Sequence, residues 1–192
     1  FKDAGATVDE ETLVVRLDRG LVSQALATAP GEFTFQTLDP EFNVPVGGRS
    51  VCFAPTSGPP NIMDLHGGRR AGTLADFENL TKLCQSFDVM HSLGGAVEPQ
   101  DIPVHLRHYA TTRSMLLLSD KVPFVYSRGS KQIADCFELI RIAHGISAEA
   151  FKERPYVWTA INTNSPMQLD IPMAEGIIDF AAAGQVLIIT PF

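Results

Sequence analysis

Short apolar runs rich in β-branched and aromatic residues recur along the chain, with helical patterns of apolar positions between them. The runs are 50–54, 89–93, 123–127, 156–162 and 185–190. Their starts lie roughly 30 to 40 residues apart, the length of one strand and one helix in a parallel sheet. The last run has no helical pattern after it. The pattern predicts an α/β chain that carries about five parallel strands of a TIM (β/α)8 barrel and stops before the barrel closes.

The segments between these runs carry start and stop signals for helices. Thr73 and Asp76 have the spacing of a capping box, in which each side chain satisfies a free backbone N–H of the first turn. Ser130 is placed to cap the next clear helix, and Gly145 to end it. Asp170, followed by proline in the first turn, predicts the start of the last helix. These signals support the alternation of strands and helices that a barrel requires.

The residues before the first run predict a separate small unit. Leu13–Leu17 alternates like a strand, Leu21–Leu26 has helical spacing, and aromatic segments on either side of Asp39 predict a hairpin. We therefore expect residues 1–48 to form an N-terminal α+β cap. Residues 49–192 should form the first half of the barrel, truncated at its C-terminal end.

Length and charge narrow the classes of function. The chain has 192 residues, fewer than the roughly 250 of a typical closed barrel, and begins without an initiator Met or a signal-peptide pattern. A net charge of -7 gives no basic surface, so neither nucleic acid nor an anionic membrane is expected as a partner. No apolar run reaches the roughly 18 residues of a membrane span. The composition is that of an ordinary soluble enzyme, and both ends of the chain are expected to be trimmed.

The cysteines and histidines argue against an oxidising compartment and against a metal site. Cys52, Cys84 and Cys136 are odd in number and lack a C-x-x-C spacing, which favours packed free thiols in a reducing compartment, the cytoplasm by default. The histidines show no H-E-x-x-H arrangement, and His105 with His108 has no further ligand beside it in the sequence. We therefore expect no metal site on this chain.

Polar and aromatic side chains stand at the predicted strand ends. The carboxyl ends of parallel strands open onto one face, where the catalytic and binding residues of such folds gather. This rule selects Phe53, His91, Tyr126, Arg128, Asn162 and Asn164, with Phe192 after the last run. The set has almost no carboxylates, and the chain has no dinucleotide fingerprint or phosphate loop. The catalytic residues are therefore unknown from the sequence.

One stretch is specific enough to indicate a family. Residues 64–73 read Asp-Leu-His-Gly-Gly-Arg-Arg-Ala-Gly-Thr, and this stretch resembles the trimethylamine methyltransferase (MttB) family. Residues 4–30 and the closing residues 190–192 extend the resemblance, in order, over essentially the whole chain. The Gly-Gly-Arg-Arg-x-Gly-Thr part is its most specific element.

The resemblance implies a TIM-barrel enzyme that takes a methyl group from a methylated amine, either trimethylamine or a quaternary amine such as glycine betaine. The acceptor would be the Co(I) centre of a corrinoid (cobalamin) carried by a separate small protein. Founding members of the family carry pyrrolysine in a later barrel strand, and many relatives without it are similar to enzymes that demethylate quaternary amines. We expect this chain to end before that strand, so the methylated substrate stays open, and the isolated segment is expected to be inactive.

The residues at the strand ends suit such a substrate in part. A quaternary ammonium cannot donate a hydrogen bond, so aromatic faces bind it through cation–π contacts. Tyr126, Trp158 and Phe192 are candidate walls of such a cage, and core filling is the alternative for Trp158. Arg128 matches the carboxylate of a betaine, and solvent exposure in a loop is its alternative.

Three further side chains are candidates for hydrogen bonds to the substrate or to the corrinoid. They are Asn162, Asn164 and His91. The ordinary use of asparagine in a loop is to satisfy backbone groups, and a buried histidine often has a single backbone partner. Both uses remain alternatives here.

A polar cluster lies in the long loop predicted after the first strand. It consists of Asp64, His66, Arg69 and Arg70. The family resemblance implies that this loop shapes the top of the barrel. The alternative is an ion-paired loop that anchors Thr73 and the helix after it.

Two other classes of protein remain open. One is a self-contained, five-stranded doubly wound α/β domain that binds a small molecule without catalysis. The other is a different TIM-barrel enzyme that shares only the scaffold. The oligomeric state is also open, with a homo-oligomer among the alternatives.

Overall fold

The computed structural model describes residues 1–164 and 168–190. The chain forms two compact units, residues 1–33 and residues 34–192. The predicted boundary between cap and barrel, after residue 48, stays a prediction about domain organisation.

A two-stranded sheet and a helix make up the first unit. β1 (Thr7–Asp9) pairs antiparallel with β2 (Val14–Arg16), and α1 (Arg19–Leu26) follows. Asp18 caps this helix by accepting a hydrogen bond of 2.8 Å from the backbone N–H of Leu21, one of the N–H groups left free in the first turn. The predicted strand and helix of this region are both confirmed.

Two further small sheets precede the first long helix. β3 (Glu32–Phe35) pairs with β4 (Val44–Gly47), which confirms the predicted pairing in this region. The second strand begins only at Val44, because residues Pro40–Phe42 form a short 3-10 helix. β5 (Asn61–Asp64) pairs antiparallel with β6 (Gly68–Ala71). The prediction of a long loop is wrong for this second stretch, which forms a hairpin instead. Gly68 takes a left-handed φ of 61°, a conformation that glycine adopts without the steric cost of a side chain, and so helps to close the turn.

Five further α-helices lie in the described part of the second unit. They are α2 (Leu74–Ser86), α3 (Arg107–Leu118), α4 (Ser130–His144), α5 (Ala148–Glu153) and α6 (Ile171–Ala182). The carboxylate of Asp170 caps α6 by accepting a hydrogen bond of 2.8 Å from the N–H of Met173, as predicted. Within residues 1–164 and 168–190, no helix is long and apolar enough to cross a membrane.

The predicted ends of α2 and α4 are confirmed with one exception. Thr73 and Asp76 form the reciprocal capping box at α2, and Gly145 ends α4 with a φ of 64°. Ser130, however, is the first residue of α4 and not its cap. Gly129 occupies the cap position with a φ of 110°, and it has no side chain that could accept a bond from the first turn.

The last two strands form a parallel pair. β7 (Trp158–Asn162) and β8 (Val186–Thr190) pair over their full lengths. Successive side chains of a strand point to opposite faces, so Trp158 and Asn162 lie on the same face of β7. Trp158 pairs with Val186 at one end and Asn162 with Thr190 at the other.

Two more segments extend this layer on the other side of β7. Single parallel bridges join Phe124 to Trp158 and Ser92 to Val122. The predicted runs 89–93 and 123–127 therefore lie beside the sheet as expected. They join it only through isolated bridges and are not regular strands. The four parallel segments are neighbours in the order in which they occur along the chain.

The first predicted strand, residues 50–54, is wrong as a strand because its backbone is irregular. The segment still runs beside the second run, since the carbonyl of Phe53 accepts hydrogen bonds from the N–H groups of His91 (2.9 Å) and Ser92 (3.2 Å). Pro55 follows at once and has no N–H to continue a ladder.

Two buried clusters fix the helices against this layer. Val125 and Val157 pack with Ile133 of α4 and Phe180 of α6. Phe124 packs in a second cluster, whose other members include Phe77 of α2 and Met115 of α3. The helices therefore hold the ends of the parallel segments in place, and with them the loops that follow.

Candidate functional site

A cavity of about 190 Å³ lies where the two parallel segments that contain Ser92 and Phe124 end. Its wall includes residues from the loops that follow those segments and from the facing sides of α2, α3 and α4. The side chains that matter for its chemistry are Phe77, Glu98, Arg107, Phe124, Tyr126 and Arg128. Two of the predicted site residues, Tyr126 and Arg128, are among them.

Three charged side chains meet at this cavity. The Glu98 carboxylate accepts a hydrogen bond from Nη1 of Arg128, and the same oxygen lies 3.4 Å from Nη1 of Arg107. Arg107 is also held by its Nε, which donates to the carbonyl of Ile102 at 2.8 Å. Burial acts to raise the pKa of Glu98, but the hydrogen bond from Arg128 and the charges of both arginines outweigh it, so the pKa lies below its usual value. Glu98 is therefore ionised at neutral pH.

Arg128 also covers a face of Tyr126. Its guanidinium carbon lies 4.4 Å from the centre of the tyrosine ring, within the range of a cation–π contact. Burial raises the pKa of Tyr126 to about 12, so the phenol keeps its proton. The ring is also tightly packed at Gly95, where any side chain would overlap the Tyr126 hydroxyl. A face of Tyr126 that was predicted to hold an ammonium group thus holds the arginine.

An aromatic cluster connects Tyr126 to Trp158. Phe124 lies between them, with ring centres 4.9 Å from Tyr126 at 89° and 4.9 Å from Trp158 at 68°. The Trp158 indole donates a hydrogen bond of 3.1 Å to the carbonyl of Leu93. Edge-to-face pairs of this kind contribute about 0.5–1.5 kcal/mol each beyond the area they bury. Tyr126 and Trp158, two of the predicted aromatic walls, therefore belong to one cluster. Phe124, which the strand-end rule did not select, connects them.

His91 lies away from this group. Its Nδ1 accepts a hydrogen bond of 3.1 Å from the N–H of Phe53, and the two rings stack with centres 6.0 Å apart. The parallel bridge of Ser92 to Val122 places His91 beside the start of the segment that contains Val122 and Phe124, where it shares another cavity with Lys121. At about 3.3 Å per residue, the four residues from Val122 to Tyr126 span roughly 13 Å. The predicted position of His91 at the carboxyl end is therefore wrong, and its role in binding substrate stays a prediction.

The asparagines and the last phenylalanine stand at the ends of other segments. Asn162 is exposed and accepts a hydrogen bond from the Thr190 hydroxyl. Asn164 is also exposed, and its backbone exchanges hydrogen bonds of 2.7 and 2.8 Å with Gln168. Phe192 lies outside the described residues. None of these contacts assigns a ligand, so their predicted roles stay predictions.

The polar cluster of the hairpin is an anchor for α2. Both terminal nitrogens of Arg70 donate to Asp76, at 2.6 and 2.7 Å, and one also reaches Asp64 at 3.1 Å. The hydrogen bond from Arg70 holds the pKa of Asp76 far below its usual value. Because Asp76 also closes the capping box, these contacts match the ion-paired alternative for this stretch. His66 and Arg69 are exposed.

Sequence reasoning missed Glu98, Arg107 and the pair of His108 with Asp135. His108 Nε2 lies 3.0 Å from the Asp135 carboxylate, at the wall of the same cavity. The hydrogen bond from Tyr109 contributes most to lowering the pKa of Asp135, so the carboxylate is charged and His108 Nε2 carries the donated proton. A signal for Glu98 was present, because it follows a predicted strand end by five residues and no other acid stands nearer to that end.

Metal-binding side chains do not gather in the described part of the chain. Over residues 1–164 and 168–190, no group of three histidine, cysteine, aspartate or glutamate side chains is placed to hold a metal ion. The thiols of Cys52, Cys84 and Cys136 are free, and the last two are buried.

Comparison with known proteins identifies the family. The sequence pattern of the trimethylamine methyltransferase (MTTB) family matches residues 1–192. A glycine betaine methyltransferase of Desulfitobacterium hafniense (strain Y51) is 38% identical over 190 residues, which cover 98% of this chain and 39% of that protein. A trimethylamine methyltransferase MttB of Desulfitobacterium hafniense (strain DSM 10664 / DCB-2) is 27% identical over 185 residues, 96% of this chain and 37% of that protein. The chain thus spans less than half the length of these relatives. It belongs to the trimethylamine methyltransferase family.

Proposed function

We propose that the chain is part of an enzyme that transfers a methyl group from a methylated amine to the Co(I) corrinoid of a partner protein. The observation that carries this proposal is the family match over residues 1–192, together with 38% identity to a glycine betaine methyltransferase. The partner, the cobalamin and the methylated amine belong to the proposal, because the relatives are longer than this chain.

We also propose that the parallel layer is part of a TIM barrel. Each of its four segments pairs with the next one along the chain, from Ser92 to Val186, without a change of direction. A doubly wound sheet reverses its strand order at a switch point, and no reversal occurs in this layer. Helices α3, α4 and α6 follow the segments in turn, as they do in a barrel.

The proposed substrate is a quaternary amine that carries a carboxylate, with glycine betaine as the leading example. Aromatic rings at the cavity suit the methylated ammonium, and Phe77 and Phe124 offer such rings where Tyr126 is covered by Arg128. The guanidinium groups of Arg107 and Arg128 suit a carboxylate. A trimethylamine substrate would use only the first of these features.

In the proposed reaction, the residues of this chain bind and orient the amine and exclude water. The C–N bond breaks with its electron pair left on nitrogen, while the electron pair of Co(I) forms the new bond to the methyl carbon. From a quaternary amine the leaving group is a neutral tertiary amine, so no proton has to be delivered to it. Positioning of the methyl group against its acceptor is then the main contribution expected from this chain.

The test is the visible spectrum of Co(I) cobalamin mixed with the whole gene product. Conversion to methyl-Co(III) on addition of glycine betaine, and not without enzyme, is the expected result. Conversion with trimethylamine alone would support the reaction and refute the proposed substrate. An unchanged spectrum with every methylated amine would refute the reaction.

The setting proposed for this enzyme is the cytoplasm. The three free thiols support it, since paired cysteines are usual in oxidising compartments. The 192-residue segment alone is expected to be inactive, because it supplies only part of a barrel. A homo-oligomer stays among the alternatives.

A further inference from the structure

The side chains that line the cavity carry more positive than negative charge, which disfavours a ligand that is only a cation. Its lining places the two guanidinium groups of Arg107 and Arg128 against the single carboxylate of Glu98. The Asp135 carboxylate lies 3.0 Å from Nε2 of His108, so this pair adds no net positive charge to the balance. One positive charge is therefore left over, and it repels an ammonium ligand that lacks a negative group.

Arg128 has unused hydrogen-bonding capacity. It reaches Glu98 through Nη1 alone, and no other hydrogen bond of its guanidinium is formed within the described ranges 1–164 and 168–190. A guanidinium presents five N–H donors in a planar fork that fits a carboxylate with two bonds. The contact with the Tyr126 ring holds that fork in one orientation while its remaining donors stay available.

Glu98 is held in place by its own backbone. Its N–H donates to the carbonyl of Pro59 at 2.9 Å, and its carbonyl accepts from the side chain of Gln100 at 2.9 Å. The Glu98 side chain is only 14% exposed, so it is poorly placed to swing into solvent. Glu98 is thus a fixed internal carboxylate at the position where a ligand carboxylate would meet Arg128.

The size of the cavity limits the ligand. About 190 Å³ is comparable to an apolar protein cavity of about 150 Å³ that binds one benzene molecule. A ligand of fewer than about ten non-hydrogen atoms fits such a space. The apolar side chains of Phe77, Met115 and Phe124 form the part of the wall that suits its methylated end.

We propose that Glu98, Arg107 and Arg128 recognise the carboxylate of a compact zwitterion, and that Glu98 sets how strongly this acid is preferred over a cation. Arg128 supplies the donors, and Arg107 lies 3.4 Å from the same Glu98 oxygen. Glu98 competes with the ligand for Arg128, and so it is a positioning residue and not a catalytic one. This inference rests on the proposed function for the methylated half of the ligand.

The test compares two ligands of similar shape on the whole gene product. Glycine betaine and choline share the trimethylammonium group, and choline has a hydroxymethyl group in place of the carboxylate. Titration calorimetry should show that the wild type binds glycine betaine about tenfold or more tightly than choline. Arg128→Gln should reduce this preference by about tenfold, because the charged fork is lost.

Glu98→Gln should act in the opposite direction and raise the preference for glycine betaine several-fold. It removes the competing charge and keeps the shape of the side chain. General damage to the site would lower both affinities, so opposite shifts from the two variants cannot come from damage. Arg113→Gln is the matched control, since Arg113 is an exposed arginine of α3 outside the cavity wall, and it should leave the preference unchanged.

The inference is overturned if Arg128→Gln and Glu98→Gln shift the preference in the same direction, or if neither differs from Arg113→Gln. The cobalamin spectrum separates this failure from failure of the proposed function. Methyl transfer with unaltered selectivity would leave the function standing without this recognition site. Opposite shifts in binding without methyl transfer would support the site and refute the reaction.

Discussion

Phe124 holds the aromatic cluster together, and its replacement by leucine isolates that contribution. The side chain is 2% exposed and makes edge-to-face contacts with Tyr126 and Trp158. Leucine keeps an apolar side chain at this position, so most of the burial is retained. What Phe124→Leu removes is the pair of ring contacts and part of the filled volume.

The expected loss follows from the geometry. Two edge-to-face pairs at about 0.5–1.5 kcal/mol each predict a decrease of about 1–3 kcal/mol in the free energy of unfolding. Phe124→Ala would also leave a cavity, and a large-to-small change of this kind costs about 3–5 kcal/mol. The two variants therefore separate ring geometry from simple filling of space.

The assay is thermal unfolding of the whole gene product, with methyl transfer measured in parallel. Phe42→Leu is the control, because Phe42 is 41% exposed and such a surface change should alter stability by no more than about 0.5 kcal/mol. Loss of the Phe124 ring between Tyr126 and Trp158 should also raise the KM for the methylated amine. A Phe124→Leu protein as stable as the Phe42→Leu protein would show that these ring contacts contribute nothing.

Three further substitutions test other contacts of the second unit. Gly95→Ala should weaken methyl transfer and stability because a Cβ there would overlap the Tyr126 hydroxyl, whereas Gly31→Ala meets no atom within 4 Å and should be neutral in the same assays. Gln185→Leu should lower the free energy of unfolding, measured by urea denaturation, by about 2–5 kcal/mol. The buried amide of Gln185 forms hydrogen bonds with four backbone groups, and its loss leaves them unpaired. A decrease under about 1 kcal/mol would contradict that reasoning. Arg70→Ala should abolish methyl transfer, because it releases the hairpin from α2. Arg69→Ala should retain methyl transfer, since Arg69 is exposed. Normal turnover by a stable Arg70→Ala protein would refute the prediction.

Local sequence signals predicted local structure well. The capping box of Thr73 with Asp76, the stop at Gly145 and the cap at Asp170 need only residues a few positions apart, and each is confirmed. The failure at Ser130 has a local cause as well, because the sequence did not indicate that Gly129 would take a left-handed conformation and occupy the cap position.

Strand positions were predictable only in part. The runs of apolar residues located the parallel segments, since burial on both faces requires them. Regular pairing depends on neighbouring backbone, and residues 50–54 lost it where Pro55 removes a donor. His91 shows the same limit, because the bridge of Ser92 to Val122 decided which end of the segment it occupies.

By itself, the sequence determined the family, the alternation of strands and helices and the candidate residues Tyr126 and Arg128, because each of these follows from residues that are neighbours in the chain. Only the tertiary structure decided that Glu98, 30 positions before Arg128, shares a hydrogen bond with it and lies beside Arg107. Charges so far apart in the sequence meet only when packed helices and parallel segments bring their loops to one face. The chemistry of the cavity therefore comes from the packing of whole elements.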